Sequence, residues 1–280
     1  MRTIPAEQVT RAVALLCREA AHSLPDDVKA ALERARSSEQ SALGREILDR
    51  LLENADLATR QQVPLCQDTG IACFFVSLGR EARVAGDLNA CINQGVRQGY
   101  QEGFLRKSMV DEPLFSRRNT NDNTPALIHT DLAEGDRLTI TLLPKGAGSE
   151  NMSALRMLKP SDGVEGVKQF VLETVVNAGA NPCPPLIVGV GIGGSFDHCA
   201  YLAKRALLRT VGHFNPEPRY AALERELLAK INETGIGPGG FGGNNTALAV
   251  HILWYPAHIA SLPVAVNLQC HAARRRSVTL

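Results

Sequence analysis

A mixed α/β fold of the α+β kind is what the sequence predicts: helices with a small mixed or antiparallel sheet, in two lobes. Three observations predict it. Amphipathic stripes of helical period dominate the first sixty residues, short apolar runs of strand length appear further on, and the two kinds alternate without a regular βαβ rhythm. No internal repeat and no composition break marks a linker, so residues 1–280 are read as one domain.

Taken in order, residues 5–22 carry Val9, Val13, Leu16 and Ala20 on one stripe and read as a helix. Pro25, then Asp26 and Asp27, suit the start of a second helix. Ile47, Leu48, Leu51, Leu52 and Ala55 make a third stripe. Ile71–Leu78 is nearly all apolar and reads as a buried strand. Asp87 is placed to cap a helix with Leu88, Ile92, Val96 and Tyr100 on its inner face. After a polar loop, Ser116–Thr124, a hairpin is expected from Ala126–Asp131 and Arg137–Leu143 around the turn 133–136. Lys145–Asn151 (KGAGSEN) reads as a glycine-bearing loop. Val164–Ala178 reads as a helix, Leu186–Val190 as a strand, and Phe196–Leu208 and Tyr220–Ile231 as helices. A second glycine-rich loop, Gly235–Asn245, precedes apolar segments near His251 and Val264.

Bulk properties exclude several classes. Hydrophobic residues are 44% and charged residues 21%, ordinary for a globular chain, and the net charge of +1 offers no basic field for nucleic acid. No apolar run reaches membrane-span length, and the N-terminus lacks a signal-peptide core, so the cytoplasm is the expected compartment. The seven cysteines have no CxxC pair, which disfavours a zinc ribbon or a thioredoxin-type site, and a disulfide framework is not expected in a reducing compartment. Inert buried thiols, a reactive thiol and dispersed metal ligands stay open. Cys17, Cys73, Cys91 and Cys199 fall on helices or the buried strand and read as small core hydrophobes. Cys66, Cys183 and Cys270 fall at element ends, among prolines or polar residues, which suits ligands.

Gly189-Val190-Gly191-Ile192-Gly193-Gly194 matches a dinucleotide-binding turn. The second strand with its acidic end should follow about 20 residues on, yet Val211–Arg219 (VGHFNPEPR) has two prolines and no strand signature. An NAD-binding oxidoreductase is therefore the alternative of another class. The glycines are expected instead to let backbone approach a ligand or the neighbouring Cys183 loop.

PLCQDTG at 64–70, PKGAGSENMSALRMLKPSDG at 144–163, NPCPPLIVGVGIGGSFDHCAYLAKRALLR at 181–209 and NLQCHAARR at 267–275 resemble the class I, iron–sulfur-dependent fumarases. The chain is similar over essentially its whole length to the alpha subunits of two-subunit fumarate hydratases and of L(+)-tartrate dehydratase. The resemblance implies a [4Fe–4S] cluster on Cys66, Cys183 and Cys270, with one iron left open as a Lewis acid. It implies a hydro-lyase, with fumarate to malate (a step of the tricarboxylic acid cycle) as first choice and L(+)-tartrate or another hydroxy-dicarboxylate as alternative; KGAGSEN is what favours fumarate. Gln67, Asp68 and Thr69 would line the substrate pocket, with Asp68 and Thr69 as catalytic candidates and Asp68 moving a proton or orienting substrate. Arg106 and His258 would bind the dicarboxylate, and Gly146 and Gly148 would bring backbone N–H groups to a carboxylate. The C-terminal beta domain of single-chain relatives is not in this sequence, so a separate beta subunit is expected, in a dimer of alpha–beta pairs. A non-catalytic iron–sulfur sensor is a third class, against which the polar residues beside the cysteines argue.

Overall fold

The computed structural model describes residues 1–280. The fold is mixed α/β and divides into two compact units. One comprises residues 1–25, 54–147 and 274–280; the other comprises 26–53 and 148–273. No helix is long and apolar enough to cross a membrane.

The elements run β1 (Arg2–Pro5), α1 (Ala6–His22), α2 (Asp26–Ser38), α3 (Ala42–Gln61), β2 (Ile71–Gly79), β3 (Ala82–Ala85), α4 (Leu88–Glu102), β4 (Leu127–Ala133) and β5 (Leu138–Lys145). There follow α5 (Ala147–Glu150), β6 (Ala154–Leu158), α6 (Gly163–Ala178), β7 (Leu186–Gly193), α7 (Phe196–Ala206), α8 (Pro218–Glu233), β8 (Ala247–Tyr255), β9 (Leu262–Gln269) and β10 (Arg276–Thr279).

The first unit has a four-stranded sheet in the order β10-β5-β2-β4, and β1 pairs with β3 in a small parallel sheet. The stripes of α1 (Val9, Val13, Leu16) and α4 (Ile92, Val96, Tyr100) share one core with Phe74, Val76, Ile140 and Leu142 of the sheet. Asp87 caps α4 by accepting from Ala90 N at 3.0 Å. The expected hairpin does not form. β4 pairs in parallel with β2, and β5 pairs antiparallel with the other edge of β2. The burial of each strand explains the order: β2 is almost wholly buried and takes the centre, whereas β4 is largely exposed and takes an edge. The turn at 133–137 wraps the end of β2, where Gly79 N, Arg80 N and Glu81 N donate to the carbonyls of Arg137, Ala133 and Gly135.

The second unit is built on the sheet β6-β9-β7-β8. Leu186, Val188, Val190 and Ile192 point from one face of β7 into a core with Phe170 and Val171 of α6 and Leu227 and Ile231 of α8. The opposite face of β7 carries Gly189, Gly191 and Gly193. A Cβ at Gly189 would fall 2.2 Å from Ala203 O, and one at Gly191 would fall 2.0 Å from Cys199 O. The glycines therefore admit the backbone of α7, not a ligand and not the Cys183 loop. The region that a nucleotide fold would use as its next strand is a loop. It is tied to fully buried Glu224, which accepts from the Arg209 guanidinium, from Asn215 N at 2.7 Å and from Ile252 N at 2.7 Å.

The glycine-rich loop 235–245 closes around a second buried carboxylate. Glu39 accepts from Gln40 N, Ser41 N, Asn244 N and Asn245 Nδ2, and a Cβ at Gly243 would lie 2.7 Å from Glu39 Oε1.

Replacing Gly191 by Ala forces α7 off the sheet and is expected to destabilise the protein by about 1–3 kcal/mol or more; an unchanged denaturation midpoint would refute this packing role. Glu39 supplies a pH signature. Burial raises its pKa, but the donors from Asn245, Ser41, Asn244 and Gln40 outweigh burial and hold it below the ordinary 4.5. The folded state gives up this proton more readily than the unfolded one, so the stabilisation is complete above the ordinary value and disappears as pH falls through the lower folded value. The stability difference between wild type and Glu39→Gln is expected to close on acidification below pH 4.5; a difference independent of pH would contradict it.

Candidate active site

In the first unit the segment Leu65–Gly70 leads from α3 to β2 and is pinned through its main chain at both ends. Leu65 is buried, its N–H donates to Ala21 O at 2.9 Å, and its carbonyl accepts from Asn54 Nδ2 at 2.8 Å. Asp68 O accepts from Arg274 Nη2 at 2.7 Å. The buried Tyr100 hydroxyl lies 3.1 Å from Thr69 O and 3.0 Å from Gly70 O, and shares its one hydrogen between them. Asn123 Nδ2 also donates to Gly70 O. What projects freely from this fixed segment is the partly exposed Cys66 and the exposed Gln67.

Asp68 faces inward along the same segment. Its Oδ1 accepts from Gly70 N at 3.0 Å and its Oδ2 from Ala147 N at 2.8 Å, so the carboxylate has one orientation. Gly146 leaves room for it, since a Cβ there would stand 3.0 Å from Asp68 Oδ2. One backbone N–H of the KGAGSEN stretch, that of Ala147, thus holds a carboxylate of the protein itself. That stretch is also not wholly a loop, because Ala147–Glu150 forms the single helical turn α5. Thr69 is 2% exposed and its hydroxyl donates to Arg106 O at 2.7 Å, so it serves as a strut under Arg106. The Arg106 side chain is exposed and makes no hydrogen bond or ion pair, an available fork for a carboxylate.

In the second unit, β7 and β9 bring two cysteines to one end of the sheet. Gln269, the residue before Cys270, pairs with Ile187, close behind Cys183 in sequence. Cys183 is exposed and adopts φ +56, a left-handed conformation that a side chain rarely takes. Its carbonyl accepts twice from His271, from the backbone N at 3.2 Å and from Nδ1 at 3.0 Å. A carbonyl only accepts, so the imidazole carries a hydrogen on Nδ1. Gly239 N donates to Pro184 O at 2.8 Å and fixes the same loop from the glycine-rich side. A Cβ at Gly148, on α5, would meet Asn181 O of this loop at 3.5 Å, an ordinary contact.

His258 is not brought to these cysteines. It is exposed in the turn from β8 to β9, with Nδ1 accepting from Ala260 N at 3.1 Å. That turn follows Tyr255, which pairs with Gly193 at the far end of β7. Eight residues of strand separate the two ends, roughly 25 Å at about 3.3 Å per residue. Within this unit His258 therefore stands at the opposite end of the sheet from Cys183 and Cys270.

The cysteines fall into two groups. Cys17, Cys73, Cys91 and Cys199 are buried, and burial pushes the Cys17 thiol up to about 12 and raises that of Cys199. Cys66, Cys183 and Cys270 are partly or fully exposed. No three His, Cys, Asp or Glu side chains converge as they would on a single ion; a four-iron cluster takes each thiolate on a different iron. The chemistry beside the accessible thiols fits such a group. Gln269, 1% exposed, has no hydrogen-bond partner on Nε2 or Oε1, and Arg274, 1% exposed, has none on Nε or Nη1. Buried donors without acceptors suit anionic sulfur. Tyr100, His271, Gln269 and Arg274 were not singled out from sequence. The last three lie within NLQCHAARR, where nearness to Cys270 was the available signal, and Tyr100 reads there as one more apolar position.

Comparison with known proteins follows the same stretches. The model of the fumarate hydratase (Fumerase) family matches residues 10–279. The putative L(+)-tartrate dehydratase subunit alpha of Methanocaldococcus jannaschii is 46% identical over 274 residues, covering 96% of each chain. The L(+)-tartrate dehydratase subunits alpha of Escherichia coli K12 and Shigella sonnei are each 35% identical over 256 residues, covering 90% of this chain and 84% of theirs.

The burial pattern predicts thiol reactivity. With the metal-free native chain, a brief alkylation read by peptide mass spectrometry is expected to label Cys66, Cys183 and Cys270, leaving the other four until the chain is denatured. Early labelling of Cys73 or Cys199 would contradict the assignment.

Proposed function

Since the chain belongs to the family of class I fumarate hydratases and L(+)-tartrate dehydratase alpha subunits, we propose that it is the alpha subunit of a hydro-lyase that dehydrates L(+)-tartrate to oxaloacetate. The names borne by its relatives support this substrate over fumarate, which the sequence alone had placed first. Those relatives are named as subunits alpha, so a beta subunit is its partner in this reading, and alpha–beta pairs associate as dimers.

Dehydration removes a proton from the carbon beside one carboxylate and a hydroxyl from the next carbon, and the resulting enol becomes the keto acid. The observation that carries the reading is the pairing of a free guanidinium with a rigid cysteine segment: Thr69 joins Arg106 to the Cys66–Gly70 stretch. Arg106 grips a substrate carboxylate in a two-pronged fashion and stabilises the negative charge that spreads into it as the proton leaves. Gln67 offers its exposed amide to the hydroxyls. Asp68, fixed by Gly70 N and Ala147 N, orients the substrate or takes the proton. Cys66, Cys183 and Cys270 would hold a [4Fe–4S] cluster, which when bound supplies a Lewis acid at the iron that lacks a protein thiolate.

A second reading, fumarate hydration to malate, is favoured by the KGAGSEN segment and by the family model itself. The anaerobically reconstituted complex with its beta subunit separates them. Oxaloacetate formation from L(+)-tartrate with kcat/KM well above that for fumarate is expected; the reverse ratio establishes fumarase, and turnover of neither sinks both. Arg106→Ala is expected to lower kcat/KM roughly 10- to 150-fold, a loss of about 1.5–3 kcal/mol of transition-state binding. Unchanged kinetics would remove Arg106 from the substrate site.

A further inference from the structure

Arg274 is the largest fully buried side chain in the protein. One nitrogen, Nη2, donates to Asp68 O at 2.7 Å. Nε and Nη1 have no acceptor, and no carboxylate lies within ion-pair distance of the guanidinium. Arginine stays charged at any pH a folded protein meets. A buried cation without a counterion is unfavourable by more than one hydrogen bond to a carbonyl returns. Such an arrangement persists when an anion completes it.

The candidate anions are few. Asp68 is engaged through both carboxylate oxygens by main-chain amides of Gly70 and Ala147, and its contact with Arg274 is through the carbonyl. The carbonyl that Arg274 holds is two residues past Cys66, and the Cys66 thiol is among the three accessible ones. Three thiolates around a four-iron core leave the assembly net anionic, and sulfur in such clusters accepts hydrogen bonds.

We propose, on the reading that this chain binds an iron–sulfur cluster through Cys66, that Arg274 is a positioning residue with two tasks. Through Nη2 it holds the main chain of the Cys66–Asp68 segment, and through Nε and Nη1 it supplies the positive charge that the thiolate-bound cluster requires. Its guanidinium waits uncompensated in the metal-free chain and is neutralised on loading. Arg274 touches neither substrate nor the reacting atoms, in contrast to Arg106, whose exposed fork faces solvent.

A merely structural arginine and a charge-compensating one differ in when they matter. The full chain, wild type, Arg274→Lys and Arg274→Met, is melted metal-free and after anaerobic reconstitution, with iron and sulfide measured on each sample. Arg274→Met is expected to lose more thermal stability in the loaded form than in the metal-free form, because the metal-free wild type already bears an unpaired charge. It is also expected to show a cluster midpoint potential shifted to more negative values, since removing a nearby cation disfavours the added electron. Arg274→Lys keeps the charge and is expected to restore the wild-type potential while losing the same stability in both forms. Equal losses for Arg274→Met in the two forms, with an unmoved potential, overturn the proposal while the cluster reading stands. A raised KM for the dicarboxylate in the complex, with the potential unmoved, assigns the orphan nitrogens to a substrate carboxylate and overturns it as well. No iron in the wild type removes the cluster reading, and the proposal with it.

Discussion

The second unit depends on the alternate glycines of β7, which leave one face of the strand bare from Gly189 to Gly193. Because Gly189 and Gly191 let the α7 backbone lie directly on the strand, the sheet is clamped from that side at main-chain distance. From the other side, Val188 and Val190 carry the packing against α6 and α8. A strand held this tightly cannot slide by a residue without exchanging its two faces. The register of β7 with β9 is thereby determined, and with it the placement of Cys183 and Cys270 at one end and of His258 at the other.

The two units solve the same problem by different means. A thiolate that is to bind a metal must be presented by backbone that does not yield. In the first unit the carbonyls of Leu65, Asp68, Thr69 and Gly70 are caught by Asn54, Arg274, Tyr100 and Asn123, so rigidity comes from side chains reaching in from surrounding elements. In the second, His271 and Gly239 seize two successive carbonyls of the Cys183 loop, and the left-handed backbone of Cys183 is kept in place by those bonds. In both, the backbone is fixed and the thiol projects from it toward the surface.

Much of this was legible in the residues. The helical stripes of α1, α3 and α4 and the Asp87 cap are local patterns, and they appear where the spacing puts them. The short strands β1, β3, β6 and β10 were not seen, since each is four or five residues and gains its partner from far along the chain. The expected hairpin failed for a related reason: β4 and β5 are adjacent in sequence, but the more apolar β2 outcompetes that adjacency for the middle of the sheet. At the site, the division of the cysteines into buried and accessible sets follows from whether each sits inside an element or at its end. The roles of Tyr100 and Thr69 do not follow, because a hydroxyl that holds a distant carbonyl looks in sequence like any other small or aromatic residue. The position of His258 relative to the cysteines does not follow from sequence either, because the extended strand β9 separates it from Cys270.

The edge strand β10 has a bearing on how the protein comes to be folded. It pairs with β5 over Arg276–Thr279 and closes the first unit's sheet, yet the whole stretch 148–273 of the other unit intervenes. Loop closure over such a span is slow relative to local helix formation. The central part of the chain can therefore condense as a body of its own while β5 waits with one edge open. Arg274 enters its buried seat at the same moment, because it lies two residues before β10. The pairing of this short strand and the anchoring of Asp68 O by Arg274 thus belong to one closure of the chain.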